Sequence, residues 1–284
     1  MGLSRQSLAG DGRFLAPYYS ASVLLIASYA LTRNWWRQHG DLKYAHSTPE
    51  EMQQKEMYAL SLMAFAACVK LWRADSMDAW LSDVLTYGKS AVLLLVWFMD
   101  YRLCIYYALL AAVLYLLFPQ PIFKGPAAIE EFTPASFKAL VEGAPEADTT
   151  WLVEFYAPWS PPCIHLEPVF AELSLKYTTA RLRFGKVDAA RWPQLAAAHK
   201  VQVYGALPHL PTFIEFNGGK EVGRIPHQFE DGTISSIKIR RQDIITAFGL
   251  EEALQEAAKP AAGPPGGSRA AGSRAGGGSS KKRR

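Results

Sequence analysis

The segment Trp151-Leu152-Val153-Glu154-Phe155-Tyr156-Ala157-Pro158-Trp159-Ser160-Pro161-Pro162-Cys163 decides the fold. Its first half is a short apolar run with one acid inside it, the pattern of a buried strand. Leu166, Val169, Phe170, Leu173 and Tyr177 then recur at the three-and-four spacing of a helix. Ser160 stands where a helix cap is expected, and Pro161 and Pro162 occupy first-turn positions where no N–H is needed. Downstream, Phe184 to Asp188 reads as a second strand, Pro193 to His199 as a short helix and Leu210 to Phe216 as a third strand. Asn217-Gly218-Gly219-Lys220 is a hairpin turn into Val222 to Ile225, and Gln242 to Glu256 a last helix. This order predicts an α/β domain, a central mixed sheet with helices on both faces.

Upstream the composition changes. Residues 1–125 hold apolar blocks at 14–31, 57–72, 90–99 and 103–118, the signature of an α-helical membrane region. The first block is flanked by Arg5, Arg13, Arg33 and Arg37. It reads as a retained helix or, with Ser28-Tyr29-Ala30 as a cleavage site, as a signal peptide. Residues 90–118 are too long for one crossing, so a hairpin turning at Asp100 and Arg102 is expected; an intramembrane functional Asp100 is the alternative. Residues 126–256 form the α/β domain, and 257–284 a tail of Ala, Gly, Pro, Ser, Lys and Arg that reads as disordered. The net charge is +4, but the tail carries seven basic residues and no acid, so the remainder is at −3. That balance gives no basic face for nucleic acid.

The residues from Val153 to Cys163 resemble the active-site segment of thioredoxins and protein disulfide isomerases, with Glu154 as the buried acid, Trp159 before the first redox position, and Pro168 five residues past the cysteine. Lys186-Val187-Asp188 and Leu210-Pro211-Thr212 match two further landmarks in order. Within that superfamily the chain is most similar to a membrane-anchored branch that shares the hydrophobic N-terminal half and the serine in place of the first cysteine. That branch also has a segment like Leu173-Ser174-Leu175-Lys176-Tyr177, and a longer loop before the proline, here Tyr204 to Pro208. The resemblance implies the thioredoxin fold, a cis peptide before Pro211, and a groove there that holds an extended protein segment by its backbone. It also implies endoplasmic reticulum regions near mitochondria.

Of three cysteines, Cys68 and Cys104 lie in the apolar blocks, so Cys163 has no thiol partner in its own domain. Ser160 cannot replace the attacking thiolate, because its hydroxyl stays protonated and an oxygen forms no exchangeable link. A helix start favours the Cys163 thiolate and burial opposes it; sequence leaves the balance open. The candidate catalytic set is therefore Cys163, Ser160 and Glu154, and the candidate binding set Trp159, Pro161, Pro162, Leu210, Pro211 and Thr212. Cys163 is either a packed relic or a single-thiol sensor, and Glu154 either a proton acceptor for it or a fold inheritance. No cofactor is called for, and His165, His199, His209 and His227 have no metal-ligand spacing.

Lys281-Lys282-Arg283-Arg284 resembles a dilysine retrieval signal read by cytosolic coat proteins, which predicts an endoplasmic reticulum membrane protein with a cytosolic α/β domain. The expected partners are the bilayer, protein segments at the proline groove, those coat proteins, and a second copy joined through Cys163. The function expected is a redox-responsive regulator or adapter. The alternative is a disulfide isomerase of low activity using Cys163 alone.

Overall fold

The computed structural model describes residues 15–39, 44–74, 76–143, 149–205, 209–229, 234–235 and 238–258. Four long helices come first: α1 (Pro17–His39), α2 (Pro49–Arg73), α3 (Met77–Met99) and α4 (Tyr101–Leu117). They pack as an up-and-down bundle, α2 and α4 each alongside α3 and α1 against both α3 and α4. The hairpin expected in the third block is present, and Asp100 makes it. Its N–H closes α3 on the Val96 carbonyl at 2.9 Å, and its Oδ1 accepts from the Arg102 N–H at 2.8 Å to open α4. Arg102 lays its guanidinium over the Tyr44 ring, 3.8 Å from its centre. Both charges thus belong to the turn.

Helix bounds differ from the apolar blocks. α3 begins at Met77, thirteen residues before the block at 90–99, because its charges are partnered within the bundle. Asp83 pairs with Lys70 at 2.8 Å, and the Lys89 ammonium sits 5.2 Å from the centre of the Tyr18 ring. α2 starts at Pro49 behind a capping box of Thr48 and Glu51, and its Glu56 accepts from Tyr29 at 2.6 Å and from Arg33 at 2.7 Å on α1. Ser28 and Thr32 of α1 also bond the Tyr107 hydroxyl of α4, at 2.8 and 2.7 Å. α1 is therefore knit into the bundle by residues on both sides of the Ser28-Tyr29-Ala30 cleavage pattern. Among the described residues, α3 is long and apolar enough to cross a membrane, and α4 is a shorter apolar helix that buries none of its side chains. An outer face this apolar suits a hydrocarbon surround.

The second half contains β1 (Ile129–Phe132), α5 (Pro134–Phe137) running into one π-helical turn (Lys138–Glu142), β2 (Thr150–Tyr156) and α6 (Pro161–Tyr177). β3 (Leu182–Asp188), α7 (Pro193–Ala198), β4 (Thr212–Asn217), β5 (Lys220–Ile225), α8 (Arg241–Ala247) and α9 (Leu250–Ala258) follow. The sheet order is β1-β3-β2-β4-β5, with β1, β3 and β2 parallel and β4 and β5 antiparallel. Two cores lie on its faces. Trp151, Val153 and Phe155 of β2 join Phe137, Val141 and Ala196 on one side, while Leu152 meets Leu166, Phe170 and Leu173 of α6 and Ile244 of α8 on the other. This alternation along β2 is what a strand covered on both faces requires.

The hairpin turn takes Gly218 and Gly219 at φ 54° and 79°, the left-handed pair that a two-residue turn needs. The last helix divides at Gly249, also left-handed at φ 53°, so that Leu250 is fully buried. The Leu210–Pro211 peptide is cis, as the resemblance implied, and so is Ile225–Pro226, which the sequence did not signal. The basic tail, with Lys281 and Lys282, lies outside the described residues.

Candidate functional site: the Ser160–Cys163 turn and the acids behind it

β2 ends and α6 begins within five residues, so the turn carrying Ser160 to Cys163 stands at the C-terminal end of the central strand. Pro161 and Pro162 occupy the first turn of α6 and are exposed. Ser160 stands at the cap position, but its side chain makes no capping hydrogen bond, which corrects the expectation from sequence. The helix starts without it, because both prolines lack an N–H to be satisfied and the Ser160 carbonyl already accepts from Ile164 at 3.1 Å. The hydroxyl, only 3% exposed with its residue, is engaged with the Cys163 thiol instead.

Cys163 is 2% exposed and packs with Ala157, Phe155 and Leu210. Burial, and then the charge of Glu154, push its thiol up to about 12, against lowering hydrogen bonds from Ser160 and the Ala157 backbone. The question left open by sequence is thereby decided: desolvation outweighs the helix start.

Behind the turn lies a row of charges that the strand register assembles. Lys186 of β3 stands opposite Glu154 of β2 and Glu131 of β1. Its ammonium, however, reaches Glu131 at 2.9 Å and Glu167 of α6 at 3.4 Å. Burial works against the Lys186 charge, but the two carboxylates hold its pKa above the ordinary lysine value. Glu154, 1% exposed, is left with Oε1 unpartnered among the described residues. Desolvation, then Glu167, raise its carboxyl to about 8, only partly offset by Lys186. Burial raises Glu167 as well, opposed by Lys186 and by the Phe123 N–H, which donates to its Oε2 at 3.2 Å. Phe123 belongs to the segment joining α4 to β1, and its neighbour Ile122 lines the same crevice as Glu154, Cys163, Glu167 and Pro158. Sequence reasoning missed Glu167. The available signal was an acid one helical turn past Cys163, on a face otherwise apolar.

The proton on Glu154 has a measurable consequence. Its folded-state pKa lies near 8 and its ordinary value at 4.5, so between them the folded chain holds one proton more than the unfolded chain, and stability falls as pH rises. Glu154→Gln removes that dependence. Thermal unfolding of the full chain in detergent, followed by tryptophan fluorescence, should show wild type losing melting temperature relative to the variant from about pH 4.5 to about pH 8. Parallel curves would mean that Glu154 is ionised in the fold.

On the outer side of the turn, Trp159 is 46% exposed and stacks on Tyr204, itself 59% exposed, with ring centres 6.2 Å apart and planes 17° from parallel. Tyr204 opens the loop before Pro211; residues 206–208 of that loop lie outside the described set. Leu210, Pro211 and Thr212 are buried, and the Thr212 hydroxyl donates to the His209 carbonyl. The structure thus brings Ser160, Cys163, Glu154 and Leu210 together inside, and leaves Trp159, Pro161 and Pro162 outside with Tyr204.

A five-stranded sheet in this order, a helix opening on a Ser-x-x-Cys turn and a cis-proline entering the next strand define a thioredoxin-fold domain, here following a helical bundle. The family model described as Thioredoxin matches residues 128–238. The chain is 30% identical over 245 residues to thioredoxin-related transmembrane protein 2 of Xenopus laevis, covering 86% of this chain and 85% of that one. The homologue in Drosophila melanogaster is also 30% identical, over 85% of this chain and 90% of its own. Among solved structures, a thioredoxin from Nicotiana alata is 22% identical over 48% of this chain and 98% of its own, with a TM-score of 0.34. The chain belongs to the thioredoxin-related transmembrane protein 2 family, and is a transmembrane protein by that membership.

Proposed function

We propose that this chain is a multi-pass endoplasmic reticulum membrane protein whose thioredoxin-fold domain, on the cytosolic side, acts as a redox-responsive adapter that docks extended protein segments. The observation that carries the docking part is the separation of the two halves of the site. The thiol is buried and held neutral, while the Trp159–Tyr204 pair beside it is open to a partner. Aromatic pairs of this kind supply much of the binding energy at protein interfaces. The backbone next to the cis-proline supplies the strand-pairing edge.

Oxidation would act on this surface through Cys163. A homodimer joined at Cys163, or a mixed disulfide with a partner, requires the first turn of α6 to open, so the redox response couples to the docking surface. The low-activity isomerase reading needs the same opening without a second thiol to resolve the product. Endoplasmic reticulum residence and the cytosolic face rest on Lys281 and Lys282 as a coat-protein signal. Protease digestion of the α/β domain in intact microsomes supports that face, and protection until detergent is added overturns it.

The docking reading is tested with the full chain in nanodiscs and reduced, carboxymethylated lactalbumin as an unfolded probe. Trp159→Ala/Tyr204→Ala should weaken binding about tenfold or more, while insulin reduction by wild type and by Cys163→Ser should both match buffer. Equal probe binding by wild type and the double variant overturns the adapter, and Cys163-dependent insulin reduction restores the enzyme.

A further inference from the structure

A second cavity lies where the bundle meets the α/β domain. It measures about 200 Å³ and is lined by Val69, Lys70 and Ala74 from α2 and its end, Ala79 and Asp83 from α3, and Lys238 and Arg240 from the segment entering α8. That is room for several waters, or for a phosphate with a small group attached. The junction is a built contact: the Ser76 hydroxyl before α3 donates to the His165 carbonyl of α6 at 3.0 Å, and within the bundle beside it the Trp80 indole N–H of α3 donates to the Ala67 carbonyl of α2 at 3.0 Å.

The charges in this cavity do not cancel. Lys70 and Asp83 neutralise each other at 2.8 Å, and Asp83 is the one acid among the described lining residues. Lys238 and Arg240 are exposed and have no ion-pair partner among the described residues. His165 feels Lys238 and Lys70 as well as Asp83; burial first, then the lysines, lower its pKa, and its Nε2 is buried without a partner among the described residues. The cavity therefore offers two uncommitted cations and a neutral ion pair, the chemistry of an anion site.

Its depth names the source of the anion. Lys89 reaches the Tyr18 ring beside Tyr115 and Phe118, at the start of α1 and the end of α4, and amphipathic rings with a snorkelling lysine mark the edge of the hydrocarbon. Asp83 stands six residues nearer the start of α3, about 9 Å from the Lys89 backbone along the helix towards the α/β domain. Trp72, two residues past Lys70 on α2, is 82% exposed at that level. Because the Lys89 side chain reaches outward to that edge, its backbone lies deeper, and Asp83 falls within the roughly 5–8 Å headgroup layer.

We infer that the cavity binds a phosphate ester, with the headgroup of an anionic phospholipid as its source, so that one lipid is held between the bundle and the α/β domain. The full chain in neutral detergent, titrated with phosphatidylglycerol or phosphatidylcholine and read by native mass spectrometry, tests this. Wild type should prefer phosphatidylglycerol. Lys238→Ala/Arg240→Ala should weaken its retention about tenfold or more, whereas Lys138→Ala/Lys220→Ala, which removes two cations outside the lining, should not. Asp83→Asn, freeing Lys70, should tighten it, and Lys238→Arg/Arg240→Lys should retain it. A parallel titration with glycerol phosphate separates the sources: binding of the soluble ester alone, lost in the same double variant, overturns the lipid. Equal retention of both lipids by wild type, or undiminished phosphatidylglycerol binding in Lys238→Ala/Arg240→Ala, overturns the site.

Discussion

Ser160→Cys is expected to make the chain reduce insulin in the presence of dithiothreitol, a gain on the order of a hundredfold over the parent chain. The reason is local. Position 160 already opens α6, with its side chain engaged on the Cys163 thiol rather than on the helix N–H groups. A thiol there meets Cys163 three residues on, the spacing of a CxxC disulfide. It also sits at the positive end of the α6 dipole, where a thiolate is favoured. Glu154 lines the same crevice as Cys163, and its ionised fraction, which grows as pH rises toward 8, can accept the Cys163 proton during resolution. The control is Ser160→Cys/Cys163→Ser, which should form mixed disulfides without releasing product. If Ser160→Cys forms no intramolecular disulfide and no activity appears, the missing first thiol is not what limits the site, and the burial of positions 160 and 163 becomes the better explanation.

The elements that were legible in the sequence share a cause. β2 and α6 could be read because a covered strand and a three-and-four apolar helix are punctuated by Pro158, Pro161 and Pro162. The β4–β5 hairpin could be read because Gly218 and Gly219 admit the left-handed turn. β1 could not: it is four residues long, two of them the exposed acids Glu130 and Glu131, and it sits at the sheet edge. The start of α3 was hidden because Asp83 and Lys89 interrupt its apolar run. Only the fold supplies Lys70 and Tyr18 as their partners. The same limit applies to the site. Sequence identified Glu154, Ser160 and Cys163, but not that Lys186, directly across from Glu154 in register, would spend its charge on Glu131 and Glu167. Pairing choices among three carboxylates are made by side-chain reach, which no spacing encodes.

Burial sets the second large expected effect, the slow reaction of Cys163. In a Cys68→Ala/Cys104→Ala background, Cys163 in the folded chain should label with iodoacetamide at neutral pH at least about a thousandfold more slowly than after unfolding in guanidinium chloride, as followed by mass spectrometry. The thiol stands near 12 against an ordinary 9, so burial and the neighbouring acids remove about three decades of thiolate. Access lowers the rate further, since the residue is nearly enclosed. Because burial is the largest cause and Glu154 is protonated at neutral pH, Glu154→Gln should leave the rate nearly unchanged, whereas loosening the packing of Leu210 and Ala157 around Cys163 should recover part of it. Peroxide should follow the same order, since it too consumes thiolate. Folded Cys163 labelling at the rate of a free thiol would mean that the first turn of α6 opens readily. It would shift the functional reading from a docking surface with a guarded thiol to a thiol that signals directly.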